Sequence, residues 1–95
     1  MTYKVLLYED AVKMLNSIPP PAKERITKGL KVLEDNPYFN RPGADIKKLK
    51  GTKGRQEAYR LRIGDYRAIY DVSESEKVVR VTRIIHRSED YNWLD

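Results

Sequence analysis

An alternating run in the second half of the chain constrains the fold more than any other feature of the sequence. From residue 59 to residue 63 every second residue is apolar, so three apolar side chains share one face of a strand, while Arg60 and Arg62 share the other. Residues 64 and 65, a Gly-Asp pair, then supply a two-residue hairpin loop, and residues 66 to 72 return as the partner strand. The sequence therefore predicts an antiparallel hairpin with one apolar face.

The other elements are predicted from hydrophobic spacing and from the positions of prolines. A β-branched and aromatic run opens the chain, and apolar residues at helical spacing lie on both sides of a proline triplet. The predicted elements are a strand over 2–8, a helix over 9–18, a second helix from Pro21 to about Asn36, an irregular connection over 37–45, the hairpin, a third strand of the meander over 77–85, and a short C-terminal helix with Ser88 as its cap. This order, β-α-α-β-β-β with two helices packed on an antiparallel sheet, is an α+β fold.

The predicted register of the hairpin places like charges opposite each other. With residues 64 and 65 in the loop, Arg62 lies across from Arg67, and Arg60 lies on the same side of the sheet; we call these three residues the arginine face. Opposed like charges destabilise a sheet, so in the absence of a nearby acid a bound anion explains the arrangement better than packing does. Arginine binds phosphate bidentately, which suits that role. The alternative is a solvated face on which the long side chains spread apart.

The charge of the chain also favours an anionic partner. Lys and Arg number 19 against 14 Asp and Glu, a net charge of +5 with a pI near 9.5, as is common in nucleic-acid-binding proteins. Residues 41 to 70 hold nine basic and three acidic residues, and a segment with two glycines just before the arginine face contains Lys47, Lys48, Lys50, Lys53 and Arg55. A groove that follows a phosphate backbone needs several such cations, although basic loops are often merely solvated.

The end of the last predicted strand supplies His86 and Arg87, and the tail supplies Tyr91 and Trp93. A single histidine most often makes a structural hydrogen bond, and terminal aromatic residues most often pack a short helix onto a sheet. Beside the arginine face, the same residues would provide the cations and stacking surfaces that bind single-stranded RNA. The residues alone leave both interpretations open.

The composition excludes several kinds of site. The 95 residues contain no cysteine and one histidine, which removes disulfides, thiolate nucleophiles, cysteine zinc sites and histidine-rich metal sites. We therefore expect chemistry without a metal or cofactor. With 40% hydrophobic and 35% charged residues, the chain is expected to form one domain over residues 1–95. It has no apolar stretch that spans a bilayer and no N-terminal signal, so a cytoplasmic location is expected.

Three motifs resemble those of a known family in order and approximate spacing. They are Lys48-Leu49-Lys50-Gly51, the hairpin from Tyr59 to Tyr70, and the closing segment from His86 to Tyr91. Over almost its whole length the chain resembles the RelE/ParE superfamily of bacterial and archaeal toxins, and most closely its RelE branch of ribosome-dependent mRNA endonucleases. The resemblance implies the α+β fold described above. It also implies a metal-independent endoribonuclease that needs no cofactor and cleaves mRNA in the ribosomal A site, where the 2′-hydroxyl attacks the adjacent phosphate to leave a 2′,3′-cyclic phosphate.

The resemblance also implies roles for individual residues. Arg67 would bind the scissile phosphate, Arg87 would stabilise the transition state and leaving group, and Tyr91 would stack on or orient a nucleotide. The family has lysines where this chain has Arg60 and Arg62, and arginine does not readily lose its proton, so the general base is left open. Either Arg62 only stabilises charge and the geometry of the ribosome-bound RNA does more of the work, or Tyr91 or His86 contributes to proton transfer. The expected catalytic residues are Arg62, Arg67, Arg87 and Tyr91, and the expected RNA- or phosphate-binding residues are Lys48, Lys50, Lys53, Arg60 and His86.

The resemblance leaves two other functions open and implies several partners. One alternative is a ParE-like inhibitor of DNA gyrase on the same fold, and the other is a non-catalytic RNA- or ribosome-binding module. The implied partners are a cognate RelB-like antitoxin, the ribosome and mRNA, with operator DNA bound only through the antitoxin complex and no membrane. The toxin alone is expected to be a monomer.

Overall fold

The computed structural model describes residues 2–49 and 57–89. These residues form β1 (Lys4–Leu7), α1 (Glu9–Ser17), α2 (Ala22–Leu30), α3 (Val32–Asp35), β2 (Asp45–Lys48), β3 (Ala58–Ile63), β4 (Tyr66–Ser73) and β5 (Val78–His86). The predicted α+β class, with helices packed on a sheet, is confirmed. Within these two ranges, no helix has the length and apolar character needed to cross a membrane.

The sheet contains five strands in the order β1-β5-β4-β3-β2. The strands from β2 to β5 form an antiparallel meander, as short connections allow. The first strand lies at the edge beside β5 and runs parallel to it, with Val5 opposite Val79. The sheet is therefore mixed, whereas the sequence predicted an antiparallel one, because the spacing of residues within β1 carries no information about its neighbour's direction.

Two further details differ from the prediction. The second predicted helix is divided at Lys31, whose backbone N–H bonds to the carbonyls of Gly29 and Lys28 in a tightened last turn. The predicted irregular connection ends at β2, which has a single apolar residue, Ile46, and so shows no alternation that would reveal a strand. The predicted C-terminal helix falls mainly on residues 90–95, outside the described part of the chain.

The helices cover one face of the sheet and bury the main hydrophobic core against it. Ala11 and Ile18 come from the region of α1, and Ile26 and Leu30 come from α2, where they are spaced four residues apart as one helix face requires. Val12 of α1 lies outside this buried face and is exposed. The sheet contributes to this core the buried residues Ile46, Leu61, Ile63, Ala68, Tyr70, Val72, Val79, Val81 and Ile84.

A β-bulge between β4 and β5 changes which residues of β5 face the helices. Ile69 lies opposite Arg83 and Tyr70 lies opposite Val81, so Thr82 is the extra residue. Val81 and Ile84 both reach the main core although they are three residues apart. After the bulge, Arg83 and Ile85 lie on the opposite face of the sheet, which α1, α2 and α3 leave uncovered.

Candidate nucleic-acid interface

The uncovered face of the sheet holds the arginine face in the predicted register. Arg62 lies directly opposite Arg67, and Leu61 lies opposite Ala68 on the helix-covered side. Gly64 takes the loop position with φ +57, a conformation that glycine adopts without strain. The hairpin therefore brings the side chains of two neighbouring strands to one surface, as the sequence predicted.

The three arginines differ in their exposure. Arg60 and Arg67 are only 9% and 7% exposed, whereas Arg62 is exposed. A small apolar cluster of Leu49, Ile69 and Ile85 lies on the same face. The alternative of solvated arginines that spread apart therefore fails for Arg60 and Arg67 and holds only for Arg62.

The expectation that this face lacks an acid is wrong. Asp45, the first residue of β2, lies opposite Arg62, and its Oδ1 lies 3.1 Å from Nη2 of Arg60. Buried arginine is seldom found without such a partner. The guanidinium of Arg67 also makes long contacts of 3.5 and 3.4 Å with the carbonyl oxygens of Gly64 and Tyr66. Three arginines against one aspartate still leave this face positively charged.

The basic strand β2 contributes Lys47 to this face rather than Lys48. Lys47 lies opposite Arg60, while Lys48 lies opposite Tyr59, whose side chain points to the helix-covered side. Nζ of Lys48 lies 2.6 Å from the carboxylate of Glu57, and this contact raises the pKa of the lysine. The structure therefore does not bring Lys48 to the arginine face. Because side chains alternate along β2, Lys47 takes the position beside Arg60 instead.

Arg87 lies beside the hairpin loop, just past the end of β5. Its backbone N–H donates to the carbonyl oxygen of Asp65 at 2.7 Å, and its Nε lies 3.4 Å from Oδ1 of the same residue. Ile85, two residues earlier, is the register partner of Arg67. The structure thus places Arg87 at the same end of the sheet as the arginine face.

His86 lies on the helix-covered side, away from the arginine face. It is opposite Tyr66, and the two rings meet edge to face at 5.0 Å. Nδ1 of His86 accepts the backbone N–H of Ser88 at 3.1 Å and lies 2.7 Å from its hydroxyl. Glu89 accepts the backbone N–H of His86 at 2.8 Å. These contacts shape the turn after β5, and the phosphate-binding role of His86 stays a prediction.

The remaining predicted site residues lie outside the described ranges. These are Lys50, Lys53 and Tyr91. Among the described residues, no group of three His, Cys, Asp or Glu side chains is arranged to hold a metal ion.

Sequence reasoning missed two acidic residues and a cleft near the arginines. Asp45 and Asp65 each contact one of the predicted arginines. A cleft of about 720 Å³, lined by residues 40–45 and Arg62, opens beside the exposed end of the face. Asp65 lies in the predicted loop, but its contact with Arg87 depends on the pairing of β4 with β5, and the contact of Asp45 with Arg60 depends on β2.

Comparison with known proteins gives consistent matches over nearly the whole chain. The family model for the ParE toxin of the type II toxin-antitoxin system parDE matches residues 5–91. Toxin RelE3 of Methanocaldococcus jannaschii is 31% identical over 91 residues, which cover 96% of this chain and 98% of the relative. The archaeal RelE-RelB complex from Pyrococcus horikoshii contains a chain with 37% identity and a TM-score of 0.77, covering 95% of this chain and 100% of that one. The isolated RelE toxin of E. coli, at 21% identity, shares the fold with a TM-score of 0.72 over 93% of this chain and 87% of its own.

Proposed function

The chain belongs to the RelE/ParE superfamily of toxins from type II toxin-antitoxin systems, and from this premise we propose that it is a ribosome-dependent endonuclease that cleaves mRNA. The observation that carries the proposal is the in-register opposition of Arg62 and Arg67 on a sheet face that α1, α2 and α3 leave uncovered, at the end of the sheet where Arg87 lies beside the hairpin loop. A phosphodiester bound there would relieve the repulsion between the opposed guanidinium groups.

In the proposed reaction, the RNA supplies its own nucleophile. The 2′-hydroxyl attacks the adjacent phosphorus, the bond to the 5′ oxygen breaks, and the products carry a 2′,3′-cyclic phosphate and a 5′-hydroxyl. Negative charge grows on the non-bridging oxygens and on the leaving oxygen during this step. Fixed guanidinium groups, Arg67 at the phosphate and Arg87 at the leaving group, would stabilise that charge. Tyr91 would stack on the nucleotide, and Lys50 and Lys53 would hold the RNA strand.

The site offers few side chains suited to proton transfer, which is consistent with an enzyme that depends on the ribosome to align its substrate. An arginine side chain is too basic to serve as a general base, so Arg60 and Arg62 would stabilise charge instead. His86 uses Nδ1 within its own turn and lies across the sheet from the arginines. Alignment of the 2′-hydroxyl with the scissile bond by a ribosome-bound codon would contribute a large share of the barrier reduction.

The proposed cellular setting follows from the family. A cognate RelB-like antitoxin would bind this chain, as the Pyrococcus relative was solved in a RelE-RelB complex. Operator DNA would be contacted through that complex, and the free toxin would be a cytoplasmic monomer.

A second candidate, poisoning of DNA gyrase, is favoured by the name of the matching family model, which describes ParE. Gyrase inhibition needs a binding surface but no array of cations around a scissile phosphate. The buried Arg67 opposite Arg62 therefore favours the nuclease.

Primer extension on a defined mRNA held in purified ribosomes tests the proposal. Wild type and Arg87→Ala are compared, with the same mRNA free of ribosomes as the control. We expect cuts only in the A-site codon, only with ribosomes, and a rate at least about 100-fold lower in the variant. If a folded wild-type protein produces no cuts but stabilises gyrase-DNA cleavage complexes, the second candidate replaces the first.

A further inference from the structure

Two contacts join the hairpin loop to the segment after β5. The backbone N–H of Arg87 donates to the carbonyl oxygen of Asp65 at 2.7 Å, and Nε of the same arginine lies 3.4 Å from Oδ1 of Asp65. One residue therefore restrains both the peptide and the side chain of Arg87. Asp65 is the second residue of the loop that joins β3 to β4. Both contacts therefore tie Arg87 to the hairpin that carries the arginine face.

The edge of the guanidinium that Asp65 contacts matters for the chemistry. A guanidinium has five N–H donors, one on Nε and four on the two terminal nitrogens. Asp65 lies against Nε, and within residues 2–49 and 57–89 it is the only acidic group in ion-pair reach of Arg87. Among the same described residues, the terminal nitrogens, which form the fork that binds a phosphate, have no acidic partner. The side chain of Arg87 is 64% exposed, so a ligand has room to approach.

A purely structural role explains this pair poorly. Both side chains are largely exposed, 64% for Arg87 and 60% for Asp65. Exposed ion pairs contribute little to the free energy of unfolding. The contact therefore matters more for where the guanidinium points than for whether the protein folds.

We propose that Asp65 is a positioning residue that orients Arg87 toward the phosphate held by Arg62 and Arg67. The inference rests on the proposed nuclease function and adds a residue to its machinery. The carboxylate holds Nε, the backbone contact holds the peptide, and the guanidinium fork faces the ligand. The opposite possibility, that Asp65 competes with the phosphate for Arg87, predicts that its removal speeds the reaction.

A double-mutant cycle in the ribosomal cleavage assay separates these outcomes. Asp65→Ala should lower the single-turnover rate at saturating toxin about tenfold and change the half-saturating concentration less than about threefold, because misplacement affects the chemical step. Asp65→Ala combined with Arg87→Ala should be as slow as Arg87→Ala alone, since Asp65 acts through Arg87. Glu57→Ala, which removes another exposed ion-paired carboxylate, is the matched control and should leave the rate unchanged. A faster Asp65→Ala enzyme, or effects that multiply in the double variant, would overturn the proposal.

Two further measurements protect the test from a folding defect and from failure of the nuclease proposal. Asp65→Asn keeps a residue that hairpin loops favour and removes only the charge, so it should fold as wild type does and still slow cleavage. NMR of the arginine Nε–H groups reads the contact without activity, with the Arg87 signal identified by its loss in Arg87→Lys. We expect Asp65→Asn to shift that signal. If the wild type shows no cleavage, the function fails while this arm still tests the pair, and an unshifted signal overturns the positioning role.

Discussion

Replacing Tyr70 with phenylalanine tests the packing beneath the arginine face. Tyr70 is fully buried, and its hydroxyl donates to the carbonyl oxygen of Pro37 at 2.7 Å. Phenylalanine retains the ring, which stacks on Tyr59 at a centroid distance of 5.7 Å, and removes only the hydroxyl. The carbonyl oxygen of Pro37 then loses its donor, and Pro37 is itself fully buried.

The size of the effect follows from this geometry. A buried acceptor that loses its donor destabilises the fold by about 1–3 kcal/mol. The variant also no longer desolvates a hydroxyl, which offsets part of that loss. We therefore expect the free energy of unfolding to fall by about 1–2 kcal/mol. In a domain of this size, the melting temperature would fall by about 5–15 °C.

Urea denaturation followed by circular dichroism measures this change directly. Tyr59→Phe is the matched control, because it removes a hydroxyl from the neighbouring half-buried ring, and it should change stability by less than about 0.5 kcal/mol. Tyr70→Phe should leave ribosomal cleavage unchanged, because Tyr70 lies on the helix-covered side of β4. Equal stability losses in the two variants would refute the reasoning, since only one of the two hydroxyls bonds to a buried carbonyl.

Three other predictions concern charge. Hydrogen bonds from Lys77 and two tyrosines lower the pKa of Glu74 from its usual 4.5 to about 2, so the stability that these bonds contribute is present above pH 4.5 and is lost as the pH falls toward 2. Glu74→Gln should therefore flatten the pH dependence of the urea midpoint between pH 4.5 and 2. An unchanged slope in the variant would contradict this prediction. Arg62→Ala should reduce the cleavage rate at least about tenfold and change the free energy of unfolding by less than about 0.5 kcal/mol, because this arginine is exposed. A large loss of stability with normal cleavage would show that Arg62 supports the fold rather than the reaction. Lys47→Ala should weaken RNA binding and lower its salt dependence by about one counterion, whereas Lys48→Ala should do neither. Filter binding across a salt series measures both variants. Equal effects of the two substitutions would show that the lysines are assigned to the wrong faces of the sheet.

The hairpin and its arginine face were predictable because their information is local. Alternation assigns Arg60 and Arg62 to one side, and a two-residue loop leaves a single register, which the structure confirms by pairing Arg62 with Arg67. This hairpin is also one of the three motifs that indicated the superfamily. The inference of its register uses residues separated by only a few positions in sequence.

The partners of these arginines depended on contacts between distant segments. Asp45 reaches Arg60 only because β2 adds to the edge of the hairpin, and a four-residue strand with one apolar residue gives no periodic signal. The motif that begins at Lys48 does not reveal that β2 is a strand, nor that this strand places Lys47 rather than Lys48 on the side of Arg60.

The sequence by itself determined the class of fold, the hairpin register and the placement of Arg60, Arg62 and Arg67 on one side of the hairpin. The tertiary structure decided which arginines are buried, which acids contact them, and that His86 lies on the far side of the sheet. The physical reason is that alternation and loop length act within one segment, whereas burial and ion pairing arise where segments far apart in sequence meet. The bulge at Thr82 adds to this, because one extra residue reverses the side that every later residue of β5 faces.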